Sequence, residues 1–98
     1  MPVILDPEGQ EQRVLMNFTG KLAGQRLLEI GSGEGRLSWS LAERAASLVA
    51  IDPDSDEIAA AQAAIPPELA GKIEFQTTSL ANFSSPYPFD TAVLSWSL

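Results

Sequence analysis

The stretch Leu27-Leu28-Glu29-Ile30-Gly31-Ser32-Gly33-Glu34-Gly35-Arg36-Leu37 decides how the chain is read. It begins as a short, mostly apolar run stopped by glycine, the pattern of a strand buried on both faces. Three glycines then stand at alternate positions, and a helical pattern starts behind them. A glycine-rich turn between a strand and a helix lets the main chain come close to a ligand, because no Cβ is in the way. The remainder of the chain reads as the other parts of a nucleotide-type site.

Downstream of the turn, Leu37, Leu41, Ala45 and Leu48 recur at helical spacing and predict a helix over 35–46. Trp39 lies off that stripe and is expected to pack, in contact with an N-terminal helix. A second apolar strand over 48–52 ends in Asp52. Asp54, with Glu57 three residues later, has the form of an acidic capping box for a helix over 55–64, which Pro66-Pro67 stops. Over 72–77, Ile73 and Phe75 alternate with Glu74 and Gln76, the pattern of an edge strand with one wet face. Residues 84–88 form a loop, with Tyr87 expected at its surface, and 91–96 form a fourth strand. Upstream, Asp6-Pro7-Glu8 reads as a helix start, the helix reaching about residue 18 with Val14, Leu15 and Phe18 on one face.

Strands separated by helix-length segments give a parallel sheet with right-handed crossovers. The expected fold is α/β: a partial doubly wound, Rossmann-like sheet of four strands with flanking helices, ending after the fourth strand. The 98 residues make a single domain, with a leading helix in 1–24 and a ligand-binding unit in 25–98.

Composition narrows the function. The net charge of -7 repels phosphate backbones and anionic membranes, so nucleic acid is disfavoured as a partner. With no cysteine and no histidine, neither disulfides nor a transition-metal site is expected. No secretory pattern and no apolar run of membrane-spanning length is visible, and the expected location is the cytoplasm.

Ligands of open parallel sheets bind at the carboxyl ends of the strands, where strand order reverses. Four features converge there: the turn Gly31-Ser32-Gly33-Glu34-Gly35, Asp52, the segment Thr78-Ser79-Leu80 and the pair Ser95-Trp96. Asp52 follows Gly31 by 21 residues (52 − 31), near the ~20 at which an acid meets a ribose hydroxyl in dinucleotide folds. The dinucleotide fingerprint is G-x-G-x-x-G, yet position 36 is arginine. Glu29 and Glu34 also flank the turn, which suits a ligand with a cationic end better than a pyrophosphate.

On these residues the chain resembles the class I S-adenosylmethionine-dependent methyltransferases. Leu-Leu-Glu-Ile-Gly-Ser-Gly-Glu-Gly resembles their first motif, Val49-Ala50-Ile51-Asp52 their second strand, and Phe89-Asp90-Thr91-Ala92-Val93-Leu94 their fourth. The resemblance implies S-adenosylmethionine as cofactor and a small-molecule methyl acceptor. It implies that Gly31, Ser32, Gly33 and Gly35 approach the methionine part and that Glu29 lies near its cationic groups. Asp52 would hold the ribose hydroxyls, Ser79 and Leu80 the adenine, and Ser95 and Trp96 would lie beside the methyl group. Ser79 stands where the family often has aspartate. Ser95-Trp96-Ser97 replaces the Asn/Asp-Pro-Pro-aromatic run of the amide- and adenine-methylating variant. No catalytic residue can be named. The alternatives are a nicotinamide-binding oxidoreductase unit and a non-catalytic remnant or partner subunit. Because the family's sheet continues beyond its fourth strand, that strand is expected here to form an open edge prone to self-association.

Overall fold

The computed structural model describes residues 3–6 and 22–95. Its centre is a parallel sheet of β1 (Val3–Asp6), β2 (Arg26–Ile30), β3 (Ser47–Asp52), β4 (Ile73–Thr77) and β5 (Thr91–Ser95), in the spatial order β1-β5-β2-β3-β4. Helix α1 (Ser38–Arg44) joins β2 to β3, and α2 (Ser55–Ala63) joins β3 to β4.

The α/β, Rossmann-like expectation holds, with one strand more than the four expected. Val3–Asp6 pairs with β5 in parallel, Val3 level with Ala92 and Asp6 level with Ser95. The expected open edge at the last strand is therefore wrong: β5 lies between β1 and β2 and is hydrogen-bonded on both sides. The basis for self-association through that strand goes with it. Asp6 is the last residue of β1. The rest of the expected leading helix, and Trp96, lie outside the described residues.

Alternation along the strands divides the core in two. Leu27, Leu48, Ala50, Ile73, Phe75 and Val93 pack with Leu41 and Ala42 of α1, with Ala45 just after it, and with Ile58 and Ala61 of α2. Leu28, Val49 and Ile51 face the other way, where Ile30, Phe83 and Phe89 close over them. The connections explain this. From β2 through β3 to β4 the chain steps outward, so crossovers of one hand put both helices on one face. The return from β4 to β5 runs the opposite way and falls on the other face, bringing Phe83 and Phe89. The carboxyl ends of β2 and β5 thus flank the point where strand order reverses.

Arg26 fixes that return. Its main-chain N–H donates to Asp90 Oδ2 at 2.8 Å, and its guanidinium donates to the carbonyls of Tyr87 and Pro88 at 3.1 and 2.9 Å. The guanidinium also lies 4.2 Å from the Phe89 ring centroid. This clasp sets β5 beside β2, with Leu28 level with Ala92.

Helix α1 starts three residues later than expected, at Ser38. The turn runs through Gly35, whose φ is +93°, and Gly35 N–H bonds back to Ser32 O at 3.2 Å. A Cβ on Gly35 would meet the Trp39 ring at 2.9 Å and Ala61 at 3.3 Å. Gly35 is therefore needed for packing. Trp39, expected against the N-terminal helix, meets Phe75 edge to face at 5.9 Å between centroids.

Gly35→Ala combines a forbidden φ with overpacking, and a loss of about 1–3 kcal/mol is expected. Gly71→Ala has nothing within 4 Å of the new methyl and is expected to leave stability equal or slightly higher. Urea unfolding of the two variants checks the contrast; equal losses would mean that Trp39 does not press on the turn.

Candidate functional site

The site is built on the carboxyl end of β3. Ile51 O accepts from the N–H groups of both Gly31 and Ser32, at 2.9 and 3.1 Å. Asp52 takes the next one: Gly33 N–H donates to its Oδ2 at 2.9 Å. Its Oδ1 accepts from Asp54 N–H, also at 2.9 Å. Three successive amides of the turn are thus held by the end of the neighbouring strand. Gly31 and Gly33 have φ of +80° and +59°, which glycine adopts without strain.

Asp52 is half-buried. A carboxylate offers about four acceptor positions, so the two amides leave capacity for ligand hydroxyls. Capping falls to its neighbour: Asp54 Oδ1 accepts from Asp56 and Glu57 N–H at 2.9 and 3.2 Å and starts α2. The end of β4 is tied in as well, since Thr78 N–H donates to Asp52 O at 3.0 Å. Ser79 and Leu80 follow directly, with Leu80 half exposed at the start of a single 3-10 turn. Ser95 is buried as the last residue of β5. The structure therefore bonds Gly33 directly to Asp52 and ties Gly31 and Ser32 to Ile51, the residue before it. It sets Ser79, Leu80 and Ser95 at the same end of the sheet.

Two residues sit deeper than a ligand contact would suggest. Glu29 is fully buried, on the face of β2 that meets α1, and accepts a hydrogen bond from the hydroxyl of Ser38, itself fully buried. Ser32 is buried too, and its Oγ has no hydrogen-bond partner among the described residues. The sequence reading missed Ser38. The available signal was a polar side chain on a helical stripe otherwise made of Leu41, Ala42 and Ala45.

The rim is acidic. Glu57, in the first turn of α2, has its carboxyl held above the usual range by desolvation first, and then by the charges of Glu34, Asp54, Asp52 and Asp56. Among the described residues, no three His, Cys, Asp or Glu side chains group as metal ligands. Nor is any helix there long and apolar enough to cross a membrane.

A raised carboxyl pKa in the folded state favours the protonated form on folding. The contribution of Glu57 is then greatest below its unfolded pKa and is lost as pH rises through the folded value. Glu57→Gln is therefore expected to be the more stable protein at pH 7, with the gap narrowing as pH falls toward 4. Thermal unfolding across that range measures it; a gap independent of pH would show that the rim charges do not act on Glu57.

The comparisons with known proteins agree with this architecture. A family profile described as a methyltransferase domain matches residues 27–98. The chain is 35% identical over 69 residues to a magnesium-protoporphyrin O-methyltransferase of Rhodobacter capsulatus, covering 70% of this chain and 31% of that protein. It is 37% identical over 70 residues to a mitochondrial ubiquinone biosynthesis O-methyltransferase of Schizosaccharomyces pombe, covering 69% of this chain and 26% of that one. It thus spans about a third or less of these curated relatives. The crystal structure of a magnesium protoporphyrin IX methyltransferase from Synechocystis, with S-adenosylmethionine bound, superposes with a TM-score of 0.70 at 25% identity, over 91% of this chain and 46% of that one. With the profile spanning most of its length, the chain belongs to the methyltransferase domain family.

Proposed function

We propose that this chain is the S-adenosylmethionine-binding part of a methyltransferase that acts on a small molecule, in the cytoplasm. The observation that carries the reading is the Asp52 carboxylate, anchored by two amides at the mouth of the glycine turn with acceptor positions to spare. The two O-methyltransferase relatives support it from a second direction.

The residues fit the group. The buried Ser32 hydroxyl offers a polar contact beneath the turn, and the half-buried Asp52 can accept from both ribose hydroxyls. By the family resemblance, Ser79 and Leu80 would meet the adenine, and Ser95, followed in sequence by Trp96, the methyl group. When bound, S-adenosylmethionine supplies an electrophilic methyl on a sulfonium centre. The chain's own part is to hold it, aim it and exclude water, so that an O, N or C nucleophile attacks in line. The acidic rim favours this ligand over a nicotinamide dinucleotide, whose pyrophosphate would stand near Glu34 and Asp52.

Calorimetric titration with S-adenosylhomocysteine and with NAD tests the reading, the first expected to bind and the second not. Hydrogen bonds to a charged group are worth ~1.5–3 kcal/mol. At ~1.4 kcal/mol per tenfold, Asp52→Ala should weaken S-adenosylhomocysteine binding by roughly ten- to a hundredfold, and far less for an analogue lacking the ribose hydroxyls. Equal losses for both ligands would make Asp52 purely structural. Gly33→Val should abolish binding, and unchanged affinity there would move the site elsewhere.

A further inference from the structure

We infer that the amino end of the sheet, opposite the glycine turn, carries a second small-molecule site, one for an aromatic carboxylate. The inference does not depend on the cofactor. Two adjoining cavities lie there, of about 300 and about 200 Å³, and Arg26, Val49 and Glu74 line both. Register brings the lining residues together. Arg26 is level with Ser47 across β2 and β3. Leu48 is level with Ile73, so Lys72, one residue before β4, comes level with Ser47. Side chains two residues apart share a face of a strand. Ser47 and Lys72 therefore stand on the face of Val49 and Glu74, the one that also carries Leu28 and Ile51. The row Arg26-Ser47-Lys72 crosses the amino ends of three neighbouring strands. Neighbouring strands lie about 4.8 Å apart, so the main chains of the two cations are about 10 Å apart. Two long side chains span that distance and converge on one anion above the Ser47 hydroxyl.

Cations are scarce in this chain, 6 Lys and Arg against 13 Asp and Glu, yet two of them flank this one serine. Ser47 and Lys72 are half-buried, and their side chains make no hydrogen bond or ion pair among the described residues. Arg26 spends Nη1 on the carbonyls of Tyr87 and Pro88, which leaves Nη2 and Nε for a carboxylate. Glu74 stands at the rim and accepts from Gln76. Its charge offsets one of the two cations, so the site suits a single carboxylate better than a phosphate dianion. The smaller cavity supplies the apolar part. Phe83, Pro86 and Tyr87 wall it, beside Val49. Tyr87 is 65% exposed, and the Arg26 guanidinium lies 5.5 Å from its ring centroid. A cationic row that leads into an aromatic-walled recess matches a planar ring bearing one carboxylate.

Benzoate is the probe, titrated into the chain while amide chemical shifts are followed, with benzamide and inorganic phosphate as comparisons. Benzoate is expected to bind with a millimolar dissociation constant, as a ligand of this size does. The shifts are expected at Ser47, Lys72 and residues 84–87, with Gly33 and Asp52 unmoved. Benzamide, which keeps the ring without the charge, and phosphate, which keeps charge without the ring, are each expected to bind at least about fivefold more weakly. Lys72→Gln should weaken benzoate binding about three- to tenfold. Tyr87→Ala should weaken benzoate and leave phosphate unchanged. The assignment is overturned by an absence of shifts up to about 20 mM benzoate, or by shifts centred on Gly33 and Asp52. Benzamide or phosphate binding as tightly as benzoate overturns it too, as does an affinity for benzoate that Lys72→Gln leaves unaltered. If Lys72→Gln does not fold, the three probes on the unmodified chain decide the matter by themselves.

Discussion

The structure hinges on the join between the end of β3 and the glycine turn. Ile51 O and the Asp52 carboxylate together accept three successive amides, those of Gly31, Ser32 and Gly33. Main-chain amides beside a core must find partners, and a turn with positive φ at alternate residues can offer its own to no helix or strand. The neighbouring strand supplies the acceptors instead. This explains why Asp52 is placed where it is before any ligand is considered: the side chain that would meet a ribose also holds the turn that would meet the rest of the molecule. The orientation of that carboxylate is set by amides on two sides.

Topology accounts for where that join lies. The chain steps outward from β2 to β4, comes back across the opposite face and enters β5 on the far side of β2. Arg26 makes the return definite by binding the carbonyls of Tyr87 and Pro88 and by pairing its own amide with Asp90. The Phe89-Asp90 pair at the entrance to β5 thus has a mechanical reason. Phe89 closes the second core and Asp90 sets the register. The carboxyl ends of β2 and β5 thus flank the reversal of strand order, the place where open α/β sheets take their ligands.

Much of this was legible from residues 26–77, because strand and helix periods are local properties. Asp54 was readable as a cap for the same reason. What was not legible depends on partners far away in sequence. Val3-Ile4-Leu5 is an apolar run too short to announce a strand by itself. Only pairing with β5, nearly the whole chain away, makes it a strand. The start of α1 was placed too early because apolar spacing does not register that Gly35 still has positive φ. The reason for that glycine, the ring of Trp39, is equally invisible until α1 packs beside α2. Ser38 was passed over because a serine in the first turn of a helix ordinarily faces solvent, and nothing local indicates that Glu29 lies behind it.

The carboxylates of Asp52 and Glu29 differ in their surroundings. Asp52 is half-buried, bound by amides, and meets solvent beside other acids. It is suited to neutral hydroxyls, which need acceptors and not a counter-charge. Glu29 has no contact with solvent and is served by a hydroxyl from α1. In a medium of low polarity an uncompensated polar group is costly, so the Ser38 hydroxyl is part of what keeps Glu29 in place behind the turn. The rim acids add a field of the same sign, falling off over about 8 Å at physiological salt. They bias the approach of positively charged ligands without fixing any one of them. Close to the turn, the acidic side chains of Glu34 and Asp52 stand against a polyanion such as a pyrophosphate, and the orientation of Asp52 is already fixed by the amides that the turn itself needs.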